Sequence, residues 1–228
     1  MPLTAWIVHA LTASGALLAY LALRATAVED LRAAFVYLAL ATAIDAVDGW
    51  LARRAHVKAR IPWFDGARLD DIVDYLTFVF APVWILDRAG ALPSGPAGPA
   101  VAAAVLLSSA YGFSRTDAKS ADHFFTGFPS YWNIVALYLV ALGLGPVFNA
   151  AVLLAFVAAV FVPIGYIYPS RTPHLQRTTV ALGLVWGAMA LAVIWWLPAP
   201  PRWLVVGSLF FPVYYVGISL HLHRRRTL

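Results

Sequence analysis

Long apolar runs, spaced at short intervals along the whole chain, constrain this sequence more than any other feature. They fall at 5–23, 33–52, 70–86, 98–114, 130–146, 149–168, 178–198 and 203–221. A helix needs about 20 apolar residues to cross a bilayer, and in lipid only helices or closed barrels satisfy their own backbone. A barrel would show short alternating strands, so helices are expected. The third run starts in acidic sequence and is the least regular. The predicted fold is an all-α polytopic membrane helical bundle of about eight transmembrane helices. Residues 1–228 are expected to form a single integral membrane domain, with no room for a second soluble one.

Composition supports that reading and excludes others. The chain is 62% apolar and 12% charged, whereas soluble domains carry about 25% charged residues. Disorder would need few apolar residues and much charge. No cysteine is present, which excludes disulfides and thiolate-held metals. The segment Met1–Leu23 has no basic residue before its apolar run; it makes a poor signal peptide and reads as a retained first span.

The net charge of +5 is placed by topology rather than by a nucleic-acid surface, and no nucleic-acid partner is expected. With the N-terminus inside, Arg53, Arg54, Lys58, Arg60, Arg68, Arg115, Lys119, Arg171, Arg177 and Arg224–Arg226 fall on the inner side. Arg24, Arg32, Arg88 and Arg202 fall outside. That bias predicts both termini in the cytoplasm. The basic tail from His221 to Arg226 reads as a topology anchor.

The acidic residues gather where spans two and three meet the inner face. Asp45 and Asp48 are three apart and share one helix face; Asp70 and Asp74 are four apart and share another. Asp45 precedes Arg53 by two helical turns, which places it roughly 12 Å inward. A lone Asp at the bilayer centre costs about 2.5–3.5 kcal/mol, so something must offset the charge. Mg²⁺ or Mn²⁺ suits carboxylate oxygens and leaves positions open for phosphate; two pairs on facing helices suit two ions and phosphoryl transfer. The alternative is that Asp45 and Asp48 pair with Arg53 and Arg54 while the other two sit in the interface. Gly49 and Gly66 beside both pairs favour the metal site, because a bare backbone admits a flat base or a pyrophosphate. Each glycine taken alone would more often serve packing. Asp65 and Asp71 read as capping or solvated residues, and His9 as a packed histidine rather than a ligand.

The stretch Asp45-Ala-Val-Asp48-Gly49-Trp-Leu-Ala52-Arg53, followed by Gly66-Ala-Arg-Leu-Asp70-Asp-Ile-Val-Asp74, resembles the signature of the CDP-alcohol phosphotransferases. That signature is Asp-x2-Asp-Gly-x2-Ala-Arg-x8-Gly-x3-Asp-x3-Asp, and all its fixed positions are present. The gap departs from it, with twelve residues between Arg53 and Gly66 in place of eight. The longer gap is similar to that of a divergent bacterial branch that makes phosphatidylcholine. The stretches RRAHVKARIPWFDGARLDDIVDY and KSADHFFTGFPSYWN resemble that branch too.

The resemblance implies transfer of the phosphatidyl group from CDP-diacylglycerol to choline, releasing CMP, on the cytoplasmic face of a bacterial inner membrane. It implies Asp45, Asp48, Asp70 and Asp74 as ligands of two divalent ions, Mn²⁺ or Mg²⁺, with Asp74 also the catalytic base. Gly49, Ala52, Arg53 and Gly66 would bind CDP, Lys119 and Arg115 the lipid phosphate, and the chain would act as a homodimer among membrane lipids. Choline is a quaternary ammonium best held against aromatic rings. Among aromatics near the inner face, Trp63, Phe64, Phe113, Phe124, Phe125, Phe128 and Tyr131 included, the choice falls on Tyr75, Tyr111 and Trp132. Serine, glycerol phosphate or inositol as acceptor is the alternative chemistry, and a membrane transporter the alternative class. A transporter would spread its acids along a path or break helices near the midplane.

Overall fold

The computed structural model describes residues 3–118, 120, 122, 124–169, 172 and 175–226. Helices α1 (Leu3–Ala27) and α2 (Leu31–Arg54) form a hairpin, the second opened by Asp30, whose side chain accepts a bond from the Ala33 amide. A one-turn helix, α3 (Val57–Arg60), leads to α4 (Gly66–Asp74), where the Asp65 side chain caps the Arg68 amide at 3.1 Å. The capping role expected of Asp65 is therefore present. The helix then widens into a π-helical segment, Tyr75–Phe80, and continues as α5 (Ala81–Arg88). The Ala81 amide bonds to the carbonyl of Leu76, five residues back.

The remaining helices are α6 (Ala97–Ser114), α7 (Trp132–Leu142), α8 (Pro146–Phe161), α9 (Gln176–Trp195), α10 (Arg202–Ser208) and α11 (Phe210–Arg226). Among the described residues, five helical segments are long and apolar enough to cross a membrane: Leu3–Ala27, Leu31–Arg54, Ala97–Ser114, Gln176–Trp195 and Arg202–Arg225. The fold is that of a helical membrane protein. The runs at 130–146 and 149–168 yield shorter helices than hydropathy predicts. Helix α7 spans about 16 Å because Gly143 takes a left-handed conformation (φ +58°) and Pro146 starts the next helix.

A second departure lies in the same region. The end of the sixth run is a strand, β2 (Gly165–Ile167), paired antiparallel with β1 (Phe124–Thr126) so that Phe125 faces Tyr166. Pro163 lies between α8 and that strand and cannot continue the helix. Helix α11 covers this ribbon. His223 Nδ1 accepts from the Gly165 amide, Ser219 Oγ accepts from the Ile167 amide, and the Tyr215 hydroxyl donates to the Ile167 carbonyl. The basic C-terminal helix thus has a structural task beyond anchoring.

The core gathers Phe35, Leu38, Val79, Ile85, Leu86, Val105, Trp132, Val160 and Val193 from six α-helices and the π-helical segment. Helix α1 is the spine against which the site is built. A Cβ on Gly15 would stand 2.5 Å from Val73 Cγ1, so α1 and α4 meet at close range there. That contact sets α4 beside α2 and brings the two acidic motifs together.

Candidate active site

Asp45 on α2 and Asp70 and Asp74 on α4 each offer one carboxylate oxygen to a group whose members all lie within 4.8 Å of one another. All three are half-buried. Three hard oxygen donors from two facing helices match what a divalent cation such as Mg²⁺ or Mn²⁺ takes, so the residues present fit a metal ion. Asp48, one turn beyond Asp45, is 6% exposed, and its Oδ2 accepts a 2.7 Å bond from Thr12 Oγ1 on α1. The fourth acid is therefore tied to α1 behind the group that the other three form.

The triad opens into a cavity of about 240 Å³. Its wall includes Asp71, Phe78, Phe113, Arg115, Gly127, Phe128, Tyr131 and Tyr168 as well as Phe125 from β1. Gly127 shapes this wall: its φ is +83°, and a Cβ there would run into the Val160 carbonyl. Arg115 forks onto Asp117, with Nε at 2.8 Å from Oδ1 and Nη2 at 2.7 Å from Oδ2. That bond raises the Arg115 pKa and lowers the Asp117 carboxyl below its ordinary value. The guanidinium also sits 5.7 Å above the Tyr111 ring.

Other expected site residues lie elsewhere. Tyr75 is outside the cavity wall; its hydroxyl donates to the Leu106 carbonyl at 3.0 Å and its ring meets Phe113 edge-on. Tyr111 is exposed and packs on Phe161. Trp132 is fully buried, with Nε1 donating to Ser109 Oγ at 2.7 Å. The structure brings none of these three to the acidic triad. Lys119 lies outside the described residues.

Of the motif's small residues, Gly66 is a packing position: a Cβ there would stand 2.5 Å from His9 Cε1. His9 is buried between Gly66, Phe64 and Trp6, as a packed histidine would be. Ala52 packs into the cluster of Ala5, Val8, Val57 and Ile61. The residues that lengthen the gap after Arg53 thus fold back onto α1, with Ile61 and Phe64 filling the space beside α4. Gly49 is more open: a Cβ there would meet only Arg53 Nη1, at 3.4 Å, among the described residues. Arg53 is exposed, while Arg54 stacks over Trp50.

Sequence reasoning set Phe125 and Tyr131 among the inner-face aromatics but passed them over, read Asp71 as capping or solvated, and did not name Tyr168; all four line the cavity wall. Asp71 stands three residues before Asp74 and so shares its helix face, a signal that was available. Tyr168 gives no such signal, because it reaches the site only through the pairing of β1 with β2.

A carboxylate triad able to hold a metal ion, beside an aromatic-walled cavity in a membrane-type helical chain, defines a class of membrane enzyme site that handles phosphate or cations. Sequence comparison narrows it. The chain is 42% identical over 177 residues to a phosphatidylcholine synthase of Legionella pneumophila, covering 77% of this chain and 69% of that protein. It is 38% identical over 216 residues to the phosphatidylcholine synthase of Pseudomonas aeruginosa, covering 95% and 90%. The one from Rhizobium meliloti is 33% identical over 218 residues, covering 96% and 90%. No family model matches the chain. At these identities and coverages the chain belongs to the phosphatidylcholine synthase family, and so to the transferases of phospholipid biosynthesis.

Proposed function

We propose that this protein transfers the phosphatidyl group of CDP-diacylglycerol to choline, forming phosphatidylcholine and releasing CMP. The observation that carries the reading is the gathering of Asp45, Asp70 and Asp74 on two facing helices, in a chain of this family. Asp45, Asp48, Asp70 and Asp74 would hold two divalent ions, with Thr12 orienting Asp48. When bound, these ions supply positive charge against the pyrophosphate and its transition state.

The chain's own residues do the rest. The choline hydroxyl oxygen bonds to the β-phosphorus while the bond from that phosphorus to the CMP oxygen breaks. The Asp74 carboxylate takes the hydroxyl proton, the role of a base within hydrogen-bond reach of the attacking group. Gly49 leaves its helix face open for CDP beside the Arg53 guanidinium, and Arg115 faces the lipid phosphate from the cavity wall. Residues 1–228 act as one bundle of eight crossings in a bacterial inner membrane, with both termini and the active site on the cytoplasmic side. Tests of this reading begin in cells. Expressed in a bacterium whose membranes lack phosphatidylcholine, the protein should produce that lipid only when choline is in the medium. Phosphatidylcholine formed without choline, or none formed with it by membrane-inserted protein, would overturn the reading.

A further inference from the structure

Three half-buried rings line the cavity that holds the acidic triad: Phe125 on β1, Tyr168 just after β2, and Tyr131 at the start of α7. Phe125 is their hub. Its centroid lies 4.9 Å from that of Tyr168 at an interplanar angle of 33°, and 6.4 Å from that of Tyr131 at 82°. Tyr168 is tilted against Phe125 and Tyr131 stands nearly perpendicular to Phe125, so the three rings make a corner, not a flat platform.

The ribbon produces this corner. Phe125 faces Tyr166 in the register, which makes Tyr168 its diagonal neighbour on the same face. Tyr131 is held from behind by Tyr215 and leans on Phe78. These supports fix the rings before any ligand arrives, so little rotamer freedom is lost on binding.

The charge of the same cavity suits a cation. Asp45, Asp70 and Asp74 are assigned to the metal ions, but Asp71 lines the cavity beside them as a further carboxylate, and the cavity's one lining guanidinium among the described residues, Arg115, is forked onto Asp117. A quaternary ammonium has no N–H to donate and is bound through ring faces within about 6 Å. A corner of rings sharing a cavity with the acid that takes the hydroxyl proton meets both needs of an amino alcohol, one at each end.

We infer that Phe125, Tyr131 and Tyr168 form the subsite for the trimethylammonium group and set the acceptor specificity of the enzyme. The inference rests on the proposed reaction and adds to it the residues that recognise the alcohol. It displaces Tyr75, Tyr111 and Trp132, whose rings are committed elsewhere.

The test uses the full-length protein in detergent with Mn²⁺ and CDP-diacylglycerol, comparing the parent with Phe125→Leu, Tyr168→Leu and Tyr168→Phe. Both leucine variants should raise the KM for choline about five- to thirty-fold while the KM for CDP-diacylglycerol stays within twofold. Tyr168→Phe, which keeps the ring face, should raise the choline KM less than Tyr168→Leu does. Tetramethylammonium, which has no hydroxyl to react, should compete with choline in the parent, and its inhibition constant should rise in step in the leucine variants. Choline KM values within twofold of the parent in both leucine variants would overturn the inference. So would a rise confined to CDP-diacylglycerol, which would mean the rings stack on cytosine. Should a leucine variant fail to fold, absence of competition by tetramethylammonium in the parent would overturn it alone. If the parent itself releases no CMP with choline, the proposed reaction fails; if the parent works and the variants match it, only the subsite fails.

Discussion

Thr12 on α1 donates a 2.7 Å hydrogen bond to the carboxylate of Asp48 on α2, with both side chains buried. It is a direct polar link between the first helix and the acidic motif. A partner that orients a metal-binding carboxylate typically changes metal affinity 10–100-fold when removed. Thr12→Val should therefore raise the Mn²⁺ concentration for half-maximal turnover at least tenfold, and Thr12→Ser should restore it. A Mn²⁺ titration of the two variants decides the point; an unchanged midpoint in Thr12→Val would detach Asp48 from the metal site.

Asp74 carries two duties in this account, cation ligand and proton acceptor. Asp74→Asn removes the proton acceptor and should lower turnover by at least about 10²-fold while the protein stays folded and still binds CDP. Turnover near the parent's would assign the base elsewhere.

Removal of divalent ions should stop the reaction, because three carboxylates gathered within 4.8 Å otherwise face the substrate's pyrophosphate with their own negative charge. EDTA should abolish CMP release and excess Mn²⁺ should restore it. Activity persisting in metal-free protein would refute the cation centre.

Gly66 separates packing from ligand binding among the motif residues. Its missing Cβ makes room for His9, which would otherwise stand 2.5 Å away. Overpacking of this kind costs about 1–3 kcal/mol, so Gly66→Ala should lower the melting temperature, and His9→Ala in the same protein should recover much of that loss. Equal melting temperatures for Gly66→Ala and the parent would show that the helices yield at this contact.

The acidic centre was legible because helical spacing reports shared faces directly. Asp45, Asp70 and Asp74 needed only the three- and four-residue periods and the cost of burying charge. The aromatic wall was not legible, for a physical reason. Hydropathy reads 149–168 as one membrane helix, since an apolar strand and an apolar helix have the same composition. Pro163 and Gly165 were the local cues that the chain turns there, and the β1–β2 pairing is what brings Tyr168 to Phe125. Trp132 misled in the opposite sense. A Trp at the inner end of a span suggests an interfacial or ligand-facing ring, but Ser109 offers its indole N–H a partner inside the core. The role of Gly66 was ambiguous for the same kind of reason, because only the position of His9 tells whether a bare backbone admits a ligand or a neighbouring side chain.

Transfer of a phosphatidyl group to choline is read out by CMP release from CDP-diacylglycerol. The purified protein would be supplied with Mn²⁺ and one alcohol at a time: choline, serine, inositol or glycerol phosphate. CMP should be released with choline alone, accompanied by phosphatidylcholine in the mass spectrum. Release with one of the other alcohols and not with choline, or with none of them from folded protein, would contradict that transfer.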